Sequence, residues 1–164
     1  MIATKEYRQK KRYQLRCAVC LLLLKKEKDK TFVLLQKREH TGLYDGKYDV
    51  SVCGHLEENE SLMDCVIREA KEEVLVELKK EDLELLHLLH IQFEDAEYFM
   101  PLVVTTTWRG RPQIGEPNKC SALEWFAIDE LPKEIIPERK QMIEDYINQI
   151  SYRETGFKKE SNLK

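Results

Sequence analysis

Four acidic residues and an arginine stand at fixed intervals in one stretch of the sequence: Glu60, then Arg68 and Glu69, then Glu72 and Glu73. On a helix, positions 69, 72 and 73 are related by three and four residues, so their side chains share one face. Like charges on adjacent turns repel and weaken a helix. A purely structural helix has no reason to accept that cost. A hard divalent cation removes the conflict, because Mg²⁺ takes oxygen ligands, keeps several waters and bridges to substrate phosphates. The pattern points to phosphate chemistry, with a solvated acidic surface helix as the plainer alternative.

The stretch from Gly54 to Val76 resembles the Nudix box, Gly-x5-Glu-x7-Arg-Glu-U-x-Glu-Glu-x-Gly-U, where U is aliphatic. Gly54, Glu60, Arg68, Glu69, Glu72 and Glu73 fall on its fixed positions, with Ala70 and Val76 at the aliphatic ones. Leu75 stands where the second glycine belongs. The resemblance implies an α/β/α sandwich around a mixed β-sheet and a hydrolase that cleaves nucleoside diphosphates linked to another group. It implies Mg²⁺ or Mn²⁺ as cofactor, with Glu72 and Glu73 as principal ligands and Glu69 as a further ligand or general base. Arg68 is then expected to hold these carboxylates by charge-assisted hydrogen bonds, and Glu60 to reach the cluster from the loop before the helix.

The loop ahead of the helix departs from the usual Pro-Gly-Gly and reads Val52-Cys53-Gly54. A backbone carbonyl there ligates the metal in the family, which makes the Cys53 carbonyl the candidate ligand. As a nucleophile, Cys53 lacks an activating neighbour in sequence. Asn59 replaces another common glycine and tolerates positive φ. Leucine at position 75 would carry roughly 1–2 kcal/mol of strain in a left-handed backbone, or else the helix exits differently.

Nudix sites often take one more acid from a distant loop. Glu97, from the turn Glu94-Asp-Ala-Glu97, is the first choice and Glu116 the second. His87 and His90, at i and i+3 of an apolar strand, point to opposite faces and read as structural. The region about sixteen residues after the box holds Gln92 and Phe93, neither the proline of ADP-ribose subfamilies nor the tyrosine of dinucleoside polyphosphate subfamilies. The coenzyme A signature is likewise not evident around Leu34–Arg38. What remains is closest to the MutT-like group, acting on nucleoside triphosphates to give monophosphate and pyrophosphate. Lys37, Arg38 and Lys47 are candidates for the distal phosphates. Glu138 is a candidate for a base edge, and Phe93, Tyr98 or Trp125 for stacking. Two other readings stay open: a silent Nudix-like module that binds nucleotide or protein, and an isomerase of an allylic diphosphate using Cys53 with a box glutamate.

The elements that must position these groups follow from pattern. Strands are expected at Leu15–Leu24, Phe32–Lys37, Tyr48–Val52, Leu85–Phe93, Tyr98–Trp108 and Leu123–Ile128. Ser61 caps a helix that runs to about Val74, with Asp64 completing a capping-box-like pair. A second helix is expected from Pro137 to about Tyr152, its apolar residues forming one stripe.

The chain of 164 residues suits one domain, with 1–12 and 153–164 expected as peripheral termini. A formal charge of −3 gives no general attraction to nucleic acid or membrane. The basic residues Arg8, Lys10, Lys11 and Arg12 read as a solvated terminus. No apolar run approaches the ~18 residues of a membrane span. Five cysteines, an odd number, fit a reducing, cytoplasmic setting, with Cys17 and Cys20 as core residues. The expected partner is a small-molecule nucleotide, and a homodimer is left open.

Overall fold

The computed structural model describes residues 11–157. Its longest strand, β1 (Arg16–Glu27), turns through Lys28-Asp29 into β2 (Lys30–Arg38). Lys28 takes φ 55° in that turn. The charged stretch Lys25–Lys30, between the two expected strands, is therefore mostly strand. Tyr48–Val52 is not one strand but two, β3 (Tyr48–Val50) and β4 (Val52–His55), separated at Ser51.

That break organises the molecule. The first half of β1 pairs with β4 (Ala18↔His55 to Leu21↔Val52), and its far end pairs with β2 (Leu24↔Val33 to Glu27↔Lys30). β2 then carries β3 and β7 (Cys120–Ala127), both antiparallel. On its other side β1 runs parallel to β6 (Glu97–Thr105), which pairs antiparallel with β5 (Glu84–Gln92). Because β3 and β4 attach to different partners, the sheet splits beside β1 and leaves a cleft.

Two helices cover the sheet. Alternate residues of a strand face opposite sides, and β1 is apolar on both. Cys20, Leu22 and Leu24 pack in the layer that holds Met142 and Ile143 of α2 (Pro137–Ile147). Val19, Leu21 and Leu23 pack with Cys65, Val66 and Ala70 of α1 (Leu62–Glu73). Leu21, Leu22 and Leu23 are fully buried, each contributing roughly 1.5–3 kcal/mol over an exposed position. The expected mixed-sheet sandwich is the architecture observed.

Helix α2 stops at Ile147, and residues expected as a peripheral tail instead form β8 (Tyr152–Thr155), parallel to β5. Arg153 anchors this strand through Nε and Nη2 to the buried Asp145, both at 2.6 Å. A four-residue strand carries too little pattern to announce itself. Among the described residues no helix is long and apolar enough to cross a membrane. Arg8 and Lys10 lie outside the described residues.

The ends of α1 are closed by specific contacts. Ser61 Oγ accepts the Asp64 N–H at 3.3 Å and donates to the Asp64 carboxylate at 2.5 Å, the expected cap. Beyond the helix, Leu75 takes φ 56°. The glycine backbone is thus kept without the glycine. The Ala70 carbonyl accepts both Val74 and Val76 N–H groups, and Gln113 and Gly115 N–H groups satisfy the Val74 and Glu73 carbonyls at 3.1 and 2.8 Å. Gly115 permits this close approach, since a Cβ there would lie 1.9 Å from the Glu72 carbonyl oxygen.

Candidate active site

Arg68 gathers the acidic residues. Its Nε donates to Glu60 Oε1 at 2.8 Å and Nη2 to Glu60 Oε2 at 3.0 Å. Its Nη1 reaches Glu69 Oε1 at 2.7 Å and Glu72 Oε2 at 3.2 Å, and Nη2 also meets the His55 carbonyl at 3.1 Å. Such a planar fork fixes orientation as well as distance. Hydrogen bonding from Arg68 holds the Glu60 carboxyl down to about 2, and the carboxylates in turn hold the guanidinium proton more firmly than usual. Gly54 makes room for the arrangement: a Cβ there would fall 1.9 Å from Glu69 Cδ.

Glu73 lies on the other side, at the cleft wall. Its Oε2 accepts the Cys53 N–H at 2.9 Å and Gln36 Nε2 at 3.4 Å. Burial pushes its carboxyl up to about 9, with Glu69 and Asp49 acting in the same direction. Burying an acid among other acids is costly unless a positive charge joins it.

Strand geometry supplies the next donor. Leu56 N–H bonds the Cys17 carbonyl at 3.1 Å, which marks a hydrogen-bonded pair of the β1–β4 ladder. Three steps along, Cys20↔Cys53 is a non-hydrogen-bonded pair. The N–H and carbonyl of Cys53 therefore both face away from β1, on the side where its N–H meets Glu73. An all-oxygen set of Glu69, Glu72, Glu73 and the Cys53 carbonyl suits a hard divalent cation. Among the described residues no three acidic, histidine or cysteine side chains converge on one point as they stand. Glu69 and Glu72 are turned toward Arg68, and Glu72, half exposed, has the freedom to swing.

The cleft encloses about 630 Å³ and brings together Cys53, Glu73, Arg38, Phe93, Glu116 and Glu138 from the sequence-derived set. Glu116 reaches it on the loop that Gly115 seats against α1, and pairs with Lys119 at 2.7 Å. Glu97 does not line it. That side chain hydrogen-bonds His90 Nε2 at 2.6 Å and Tyr13, and β-strand alternation puts it on the face opposite Tyr98 and Met100, which do line the cleft. Of the two distant acids, Glu116 lines the cleft and Glu97 does not. Lys37 lies over the Tyr48 ring, and neither it nor Lys47 lines the cleft. His87 and His90 are separate: His87 Nδ1 meets the Ile150 carbonyl at 2.8 Å, as expected of structural histidines.

Asp49 and Arg139 were not legible as a pair. Asp49 is buried between Arg139 Nε at 2.7 Å and Arg38 Nη1 at 3.0 Å. One carboxylate against two guanidiniums leaves this wall positive. An aspartate inside the apolar strand Tyr48-Asp-Val-Ser was the available signal, but its partner lies ninety residues away. Arg16, Lys119 and Tyr98 also line the cleft; Arg16 Nη1 donates to Tyr98 Oη at 3.1 Å.

This split sheet with an arginine-gathered acidic helix defines a class. The NUDIX domain family model matches residues 14–146, and the chain belongs to that family. Over 117 residues it is 26% identical to the NAD-capped RNA hydrolase NudC of Pseudomonas putida, covering 71% of this chain and 39% of that protein. The chain thus spans well under half of that relative's length. Among solved structures, a MutT NUDIX hydrolase from Burkholderia pseudomallei superposes with TM-score 0.69 at 23% identity, over 85% of this chain and 100% of that one. A MutT/nudix family protein from Enterococcus faecalis gives 0.71 at 20%, over 88% and 66%. The NUDIX domain of Shewanella oneidensis NrtR, crystallised with ADP ribose, gives 0.69 at 17%, over 92% and 100%. At these identities the structural likeness is one of fold.

Proposed function

We propose that the protein is a divalent-metal-dependent pyrophosphohydrolase acting on a nucleoside diphosphate linked to another group, with nucleoside triphosphate, cleaved to monophosphate and pyrophosphate, as the favoured substrate. The observation that carries this reading is the Arg68 fork holding Glu60, Glu69 and Glu72 beside the half-buried Glu73. Mg²⁺ or Mn²⁺ bound by Glu72, Glu73, Glu69 and the Cys53 carbonyl would screen phosphate charge and acidify the attacking water. Glu69, gripped by Arg68, would either complete that ligand set or take the proton of the water. Arg38, Lys119 and Arg16 supply positive charge along the cleft for the phosphates. Phe93 and Tyr98 offer ring faces to a base, and Glu138, within 3.4 Å of Tyr44 Oη, offers acceptors to its edge.

The test is turnover of nucleoside triphosphates, nucleotide sugars, ADP-ribose, dinucleoside polyphosphates and NAD-capped RNA by purified protein with Mg²⁺ or Mn²⁺. Glu72→Gln and Glu73→Gln serve as controls. Hydrolysis of triphosphates that both substitutions abolish supports the proposal. Turnover only of a dinucleotide or capped RNA reassigns the substrate. Absence of metal-dependent turnover on every arm replaces the enzyme with a binding module.

A further inference from the structure

Two cysteines meet where β1 and β4 pair, and one of them lines the cleft. Cys20 on β1 and Cys53 on β4 are directly opposite, with their Sγ atoms 3.5 Å apart. Their pair is non-hydrogen-bonded, so the backbones approach to about 4.5 Å between Cα atoms, within the 4.4–6.8 Å that a disulfide spans. Few backbone positions offer this, and a slip of one residue in register would remove it.

The surroundings differ for the two sulfurs. Cys20 is fully buried, whereas Cys53 is partly exposed and lines the cleft. The Arg139 guanidinium, held by Asp49, places Nη2 3.3 Å from Cys53 Sγ and Nη1 3.5 Å from Met100 Sδ. Arg139 thus fixes the Cys53 sulfur where the pair meets the cleft, which makes it the one of the two that a dissolved oxidant reaches first. By contrast, Cys120 is buried with its thiol turned onto the Ala122 carbonyl at 3.1 Å, and Cys65 is buried with its thiol 3.4 Å from the His55 carbonyl.

We infer that Cys53 is a site of oxidative modification by hydroperoxides, and that Cys20 resolves it into a reversible Cys20–Cys53 disulfide. The Cys53 sulfur attacks a peroxide oxygen, the O–O bond breaks, and water or an alcohol leaves, giving a sulfenic acid. The Cys20 sulfur then attacks that sulfur; the S–S bond forms and the second oxygen departs as water. The two sulfurs together lose two electrons, and the peroxide gains them. The new bond draws Cys53 Sγ off Arg139 and ties to β1 the strand whose N–H holds Glu73.

The full chain is treated with hydrogen peroxide, alkylated, and mapped by mass spectrometry without reductant. We expect two of the five thiols to escape alkylation, joined as one Cys20–Cys53 linked peptide and restored by dithiothreitol. In Cys20→Ser, Cys53 should stop at the sulfenic acid and be trapped by dimedone. In Cys53→Ser, Cys20 should stay alkylatable. Both cysteines alkylating fully at peroxide levels that already oxidise Cys17, or a cross-link formed by another pair, would overturn the inference. The wild-type map decides the matter alone if either variant misfolds, and none of these readouts depends on nucleotide turnover.

Discussion

Arg68 and Glu60 stand eight residues apart, and the guanidinium edge meets the carboxylate edge in two parallel bonds of 2.8 and 3.0 Å. This pair locks the loop before α1 to the helix itself. The remaining nitrogen, Nη1, is then aimed at Glu69 and Glu72.

Arg68→Lys keeps the charge and loses the fork. We expect kcat to fall about 10- to 100-fold, the usual range for groups that orient metal ligands, with KM changing less. Steady-state kinetics across a Mg²⁺ titration checks this. An unchanged kcat would mean that the carboxylates need no such clamp.

Leu75→Gly tests the left-handed turn after α1. Leucine carries about 1–2 kcal/mol of strain at φ 56°, and glycine adds about 0.5–1 kcal/mol of unfolded-state entropy. The side chain is 50% exposed, so little packing is lost. A gain of roughly 0.5–1 kcal/mol in urea unfolding is expected, with kcat unaltered. A rise from no activity to activity would show that the natural site is silent.

Gly115→Ala should do the opposite. The added Cβ meets the Glu72 backbone oxygen at 1.9 Å, so the loop must lift from the helix. We expect a loss of about 1–3 kcal/mol, as for overpacked sites. Because Glu116 travels on that loop, divalent-ion affinity measured by calorimetry should weaken with it.

Asp145 sets a pH dependence remote from the cleft. Burial alone would push its carboxyl up, but the Arg153 fork more than offsets this and holds it below the usual carboxylate range. A carboxyl lowered on folding contributes stability above its unfolded value, near 3.8, and that contribution is lost as pH falls through the folded value. Asp145→Asn should cost about 1.5 kcal/mol at pH 7. That is the low end for a charged hydrogen bond, because Arg153 is one-third exposed. The difference in melting temperature should shrink as pH falls below 3.8 and vanish once the folded carboxyl is itself protonated. A constant difference across pH would assign the effect to packing.

Much of this was legible beforehand because it is local. Spacing alone put Glu69, Glu72 and Glu73 on one helix and Arg68 among them, and the Ser61 cap needs only four residues of sequence. What escaped reading depends on contacts distant in sequence. Tyr48–Val52 looks like one strand, since its pattern cannot say that the two halves serve different neighbours. Glu97 and Glu116 are equally acidic in sequence, and only strand alternation and the seat made by Gly115 separate them. Asp49 with Arg139, and Cys20 with Cys53, are pairs that exist only once the sheet has closed.

Gly54 explains which positions of the motif this chain was free to change. Asn59 and Leu75 replace glycines at φ 63° and 56°, where the demand is a torsion that other residues reach with modest effort. At Gly54 the demand is empty volume, already filled by a glutamate arriving from α1. A bent backbone tolerates a substitute; an occupied space does not. Of these three positions, the chain has relinquished the two that set angles and kept the one that leaves room.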